Sequence, residues 1–225
     1  MFFCNCKYIL SIARIFAKML IMKLVVAGAE NNMQELINRL PEANWIKCNN
    51  YEEVKKVEDA DAYFILDNNA FSYDFNFTNK PVFITSVIET LKYNNQPVHV
   101  LRFNGWAGWL QKEKWEIAGQ LSVDALAILG HLNIEPLSLP DEPGFVSPAV
   151  ISLIINEAFY AEAEEVSSRS DIDLAMKLGT GYPFGPFEWA EKIGLGEVYG
   201  LLKKLSVTDE RYQPCEALKI EKSKN

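Results

Sequence analysis

Residues 156–195 read NEAFYAEAEEVSSRSDIDLAMKLGTGYPFGPFEWAEKIGL. The stretch is a sequence of helices and the turns that join them. Gly179 and Gly181 accept the left-handed turn that closes a helix. Pro183 and Pro186 bracket a rigid turn, and Pro186 suits the first turn of the helix that follows. Ser170, with Asp171 and Asp173 behind it, is expected to cap a helix whose positive end favours acids. Working outward, the pattern predicts helices over 150–165, 170–178 and 186–205, and a polar, frayed tail over 219–225.

Toward the N-terminus the periodicity changes. Residues 62–66 (AYFIL), 81–85 (PVFIT) and 97–103 (PVHVLRF) are short apolar runs of strand length. Further strands are expected over 23–27, 45–48, 115–118 and 135–139. Helices are expected over 32–40, 51–57 and 123–132. Strands alternating with helices or loops imply βαβ units and a mainly parallel sheet. Pro140, Pro143 and Gly144 punctuate the chain where strands give way to helices, and the domain boundary is placed there. The fold class is therefore α/β: a parallel-sheet domain over 22–140, then an all-helical domain over 141–220.

The chain is 49% apolar and 23% charged, ordinary for a soluble protein with a real core. Its net charge of −8 argues against a nucleic-acid partner, since phosphate binding needs a basic face. Cys4, Cys6, Cys48 and Cys215 form no CxxC pair and have no zinc-ligand spacing with the histidines. They read as reduced cytosolic thiols, and no metal is expected. Residues 1–21 are apolar but interrupted by Lys7, Arg14 and Lys18, which fits neither a membrane span nor a secretory signal. The expectation is a non-native or mis-started extension ahead of a natural start at Met22, and no integral membrane segment. A basic amphipathic helix on a membrane surface is the alternative.

From Asp141 onward the chain resembles the C-terminal domain of 3-hydroxyacyl-CoA dehydrogenases over nearly its whole length. The shared elements are Asp141 with Pro143-Gly144-Phe145, Asn156-Glu157-Ala158, Asp171-Ile172-Asp173 and Ala175-Met176-Lys177-Leu178-Gly179. Gly181, Pro183, Gly185-Pro186-Phe187-Glu188 and Arg211-Tyr212-Gln213-Pro214 complete the set. The resemblance implies a Rossmann-like first domain that binds NAD, an acyl-CoA ligand, and a homodimer built through the helical domain. It also implies that the first domain is reduced, since about 120 residues stand where the family has nearly 200.

The resemblance implies site residues as well. After the first strand the family has G-x-G-x-x-G. Here Gly28 fills the first position, Glu30 the second and Met33 the third, which places bulk and a negative charge where pyrophosphate should sit. Cys48 and Asn49 stand where an acid would meet the ribose. The family's general-base His lies in a strand ending H-F-F-N-P, with an orienting Glu about a dozen residues on. Aligned on Asn104, Leu101 takes the His position, and a one-residue slip would put Arg102 there; neither accepts a proton. Ser86, Asn104 and Glu116 are the candidate catalytic residues, Glu116 being preferred to Glu113 as the orienting acid. Ser86 matches the family's substrate-contacting Ser, while Pro148 replaces an Asn. His99 is a possible substitute base or a packing residue. Trp106, Trp109 and Trp115 form either an acyl-binding wall or a core patch. The expected function is a 3-hydroxyacyl-CoA dehydrogenase-like protein degenerate in catalysis and NAD binding, with a binding or assembly role. The alternative is an active NAD-dependent dehydrogenase, and a different small-molecule enzyme on the same scaffold is a third reading.

Overall fold

The computed structural model describes residues 22–223. The extension over 1–21, with Cys4 and Cys6, lies outside the described residues. Two compact units make up the rest. The first holds residues 22–86 and 91–141, the second 87–90 and 142–223.

The first unit is a seven-stranded sheet in the order β2-β1-β3-β4-β5-β6-β7. Its strands are β1 (Lys23–Gly28), β2 (Asn44–Cys48), β3 (Ala62–Leu66), β4 (Val82–Thr85), β5 (Val100–Phe103), β6 (Lys114–Ala118) and β7 (Glu135–Ser138). All neighbours run parallel except β5 and β6, where Arg102 faces Ala118 and Phe103 faces Ile117. Side chains alternate between faces. Leu24, Val26, Phe64, Phe83, Leu101, Phe103, Trp115 and Ile117 pack with α1 (Glu30–Ile37) and α3 (Val123–His131). Val25, Ala27, Tyr63, Ile65, Val82, Ile84 and Val100 pack on the other side, with Val54 of α2 (Tyr51–Val54) and Phe75. Burial on both faces explains why β3 and β4 read as unbroken apolar runs.

Arg39 staples the far edge of this sheet. Its guanidinium donates to the carbonyls of Leu110, Lys112, Leu132 and Asn133. It lies 5.8 Å from the Trp115 ring, which stacks on Phe103. One half-buried cation thereby fixes both the Trp-rich loop and the turn into β7.

The second unit contains α4 (Ser147–Ala163), α5 (Arg169–Thr180), α6 (Pro186–Ile193), α7 (Leu195–Leu205) and α8 (Glu216–Lys222). The short segment 87–90 joins it: Gly144 donates to the Val87 carbonyl at 2.8 Å, and Lys204 pairs with Glu89 at 3.3 Å.

Several boundaries differ from the sequence expectation for local reasons. Helix α4 begins at Ser147, because Pro148 fits its first turn. The cap of α5 is Ser168, not Ser170; the Ser168 side chain accepts from the Asp171 amide. The helix expected over 186–205 is two helices, because Gly194 breaks it at φ 94°. Strand β5 starts at Val100, so His99 precedes it. The tail forms α8 rather than fraying, because Leu218 buries completely. Among the described residues, no helix is long and apolar enough to cross a membrane.

Candidate functional site

Strand order reverses between β1 and β3, which opens a crevice at their carboxyl ends. A cleft of about 550 Å³ lies there, lined among others by Gly28, Asn32, Asn49, Asp67, Asn69 and Tyr73. Gly28 is required by the backbone. Its φ is 145°, and a Cβ there would stand 2.6 Å from the Leu66 carbonyl oxygen. The first glycine of the loop therefore serves the close approach of β1 and β3.

The other two positions have different fates. Met33 is buried in the core beneath α1. Glu30 opens α1 and points to Lys47 on β2, 2.7 Å away. Neither side chain fills the loop; one belongs to the core and the other to a surface ion pair. Asp67, at the end of β3, accepts from the Tyr73 hydroxyl. That bond, with burial behind it, pushes the phenol up to about 12, so it stays protonated. Tyr73 stacks on Tyr51 with centroids 4.3 Å apart. Burial raises the nearby Cys48 thiol, and Glu53 adds to the shift. No lysine or arginine lines this cleft among the described residues. A dinucleotide's pyrophosphate needs donors and positive potential there; the asparagines can donate, while Asp67 adds a negative charge that no lining cation balances.

The candidate catalytic residues gather at the carboxyl ends of β4 and β5. The Ser86 amide donates to the Phe103 carbonyl, and the Asn104 amide to the Glu116 carbonyl. Asn104 and Glu116 also meet through their side chains: Asn104 Nδ2 donates to Glu116 Oε2 at 3.0 Å. Asn104 Oδ1 accepts in turn from the Trp106 amide at 3.2 Å. All three candidates are buried. Gly105 allows the loop to turn here, since a Cβ would strike the Thr85 side chain at 2.1 Å.

Leu101 is not part of this cluster. It faces the α1 and α3 side of the sheet, whereas Glu116, between Trp115 and Ile117, faces the other. Arg102 is fully buried and paired with Asp141 at 2.5 Å. His99 sits at the opposite end of β5, with its ring nitrogen 3.1 Å from the Phe75 carbonyl. It is a packing residue remote from Asn104. The Trp106 and Trp115 indole nitrogens are buried without a hydrogen-bond partner, and Trp109 is buried beside Lys112. Among the described residues, no group of His, Cys, Asp and Glu is placed to hold a metal.

In the helical unit each sequence motif has a mechanical task. Asp173 receives the Phe187 amide at 2.8 Å and the Glu188 amide at 3.3 Å, capping α6 from a neighbouring helix. Gly185 leaves room for that carboxylate. Glu188 accepts from the Gly185 amide at 2.9 Å and from Lys177 at 2.5 Å. Lys177 and that amide hold its carboxyl below the usual range. Asn156 clamps the 213–215 turn, donating to the Gln213 carbonyl and accepting from the Cys215 amide. Arg169 lies against the Phe159 and Phe187 rings and pairs with Glu162 and Glu221. The sequence motif is thus one interlocked set of caps and ion pairs.

Residues 144–221 match the model of the 3-hydroxyacyl-CoA dehydrogenase C-terminal domain. The helical unit is thus similar to the C-terminal domain of 3-hydroxyacyl-CoA dehydrogenases. A 3-hydroxyadipyl-CoA dehydrogenase of Escherichia coli is 40% identical over 85 residues, 37% of this chain and 18% of that protein. A probable 3-hydroxybutyryl-CoA dehydrogenase of Bacillus subtilis is 34% identical over 102 residues, 44% of this chain and 36% of that protein. The matches therefore span about a third or less of these relatives. The structure of FadB2 from M. tuberculosis has the same fold: TM-score 0.70 at 14% identity, covering 91% of this chain and 94% of that one. The family-model match falls in the helical unit, while the likeness of fold to FadB2 covers 91% of the chain.

Proposed function

We propose that this chain is a 3-hydroxyacyl-CoA dehydrogenase-family protein that has given up hydride transfer and keeps a binding or assembly role. The Asn104–Glu116 pair carries the reading. In the family pattern a Glu about a dozen residues after the base holds the imidazole. Here the side chain that meets Glu116 twelve residues earlier is Asn104. Asn104 accordingly stands in the base's place, ahead of Leu101 or Arg102. A carboxamide cannot take the hydroxyl proton of a 3-hydroxyacyl thioester near neutral pH, so the acid remains and the base does not.

The cleft supports the same conclusion. NAD is the family's hydride acceptor, and the cleft between β1 and β3 offers its pyrophosphate the Asp67 carboxylate and, among the described residues, no lysine or arginine. The ligand class that follows from the family is an acyl-CoA. The quaternary habit that follows is a homodimer built through 141–220, with 22–140 as the reduced Rossmann-like part. Retention of Ser86 and Glu116, both buried, favours the second reading, an active NAD-dependent 3-hydroxyacyl-CoA dehydrogenase.

Titration of the purified protein with NADH, then acetoacetyl-CoA, decides between them. Absent NADH binding with the thioester still bound supports the ligand-binding relic. Saturable NADH fluorescence followed by oxidation on adding the thioester establishes the active enzyme. Binding of neither leaves an assembly role, checked by light scattering for a dimer.

A further inference from the structure

The chain passes between its two units three times: after Ser86, before Leu91 and after Asp141. The residues on the first-unit side of all three passages meet at one ion pair. Arg102, fully buried on β5, donates through Nε to Asp141 Oδ1 at 2.5 Å and through Nη1 to the Ser86 carbonyl at 3.1 Å. Asp141 then receives the Leu91 amide at 3.2 Å and the Lys92 amide at 3.0 Å. A guanidinium is well suited to this task, since its planar fork reaches several acceptors at once.

Removing one member of a buried pair leaves the other charged and poorly solvated. Burial alone would push the Asp141 carboxyl up; Arg102 and the two amides outweigh it and hold the group below its usual range. The pair is also specific to where the chain needs it. Arg102 stands on the strand that leads to Asn104, and Asp141 opens the helical-domain motif.

We propose that Arg102 and Asp141 form a clamp on the first-unit side of the three passages, and that its release frees the Leu91–Lys92 turn while the first unit stays folded. Lys92 is exposed and offers trypsin a cleavage point inside this turn. The test compares trypsin nicking after Lys92, and hydrogen exchange of the Leu91 and Lys92 amides, in wild type, Arg102→Met, Asp141→Asn and Arg102→Lys. The clamp predicts at least tenfold faster nicking and exchange at those amides for Arg102→Met and Asp141→Asn. Arg102→Lys, which keeps the charge but loses the fork, should fall between. Amides in β1 and β3 should be protected as in wild type. Nicking and exchange within twofold of wild type would overturn the proposal. So would an equal rise at every amide of the first unit, which is global loosening. If Arg102→Met does not fold, Asp141→Asn and Arg102→Lys decide on the same criteria.

Discussion

Asn104 donates to the Glu116 carboxylate across 3.0 Å, and its own oxygen takes the Trp106 amide. One carboxamide thus serves a buried acid and a buried backbone group. Asn104→Ala leaves both short of a partner, and such losses cost about 1–3 kcal/mol. The expected result is a lower urea midpoint at unchanged slope. Asn104→His would return an imidazole to Glu116. Its pKa should rise beside the carboxylate, so the stability it adds is full below about 6.5 and fades as pH climbs through the raised value. Urea titrations of this variant between pH 5 and 9 check that sign; a midpoint rising with pH would contradict the pairing.

Two glycines should respond in opposite ways to alanine. Gly28 has φ 145° and meets the Leu66 backbone within 2.6–2.9 Å, so Gly28→Ala brings both strain and a clash. A loss of about 2 kcal/mol or more is expected. Gly130 lies within α3 with open space where a Cβ would go. Gly130→Ala should stabilise by roughly 0.5–1 kcal/mol. Thermal melts of both variants test the pair.

Asp173 caps α6 from α5, receiving the Phe187 and Glu188 amides. Asp173→Ala leaves these amides buried without their acceptor, at a cost of about 1–2 kcal/mol. Gly185→Ala should also destabilise, because its Cβ would stand 2.3 Å from Asp173 Oδ1. Combining the two should cost somewhat less than the sum, since Asp173→Ala removes the Oδ1 and Cγ contacts while the Cβ contact at 2.4 Å stays. A double-mutant cycle in urea measures this.

Acid should act through Asp141. Its folded carboxyl is held below the ordinary value, so the stability it gives is present above about pH 3.9 and is lost as pH falls through the folded value. Wild type should lose urea resistance below about pH 4 more steeply than Asp141→Asn. Parallel curves for the two proteins would remove Asp141 from the acid response.

Much of this molecule is legible in its residues alone. Runs such as AYFIL and PVFIT have strand length and an apolar character throughout, and they are β3 and β4. The helical motif could be read because its constraints are local: glycine for a left-handed turn, proline for a first turn, acids for a helix end. Where a competing local signal stood nearby, the reading slipped. Ser170 looked like the cap, but Ser168 has the geometry, and Gly194 broke what periodicity alone would join.

The site was less legible, because its meaning depends on which face of a strand a side chain takes and on what lies across the sheet. The family resemblance singled out Ser86, Asn104 and Glu116. Only the pairing of β5 with β6 put Asn104 against Glu116 and turned Leu101 to the other side. Tertiary structure likewise revealed that Asp173 caps a helix fourteen residues on, that Arg39 collects four carbonyls, and that Arg102 finds Asp141 across 39 residues. Backbone preferences act over a turn and are written in adjacent residues. A buried polar group finds its partner wherever the fold brings one, so that choice is made only when the chain packs.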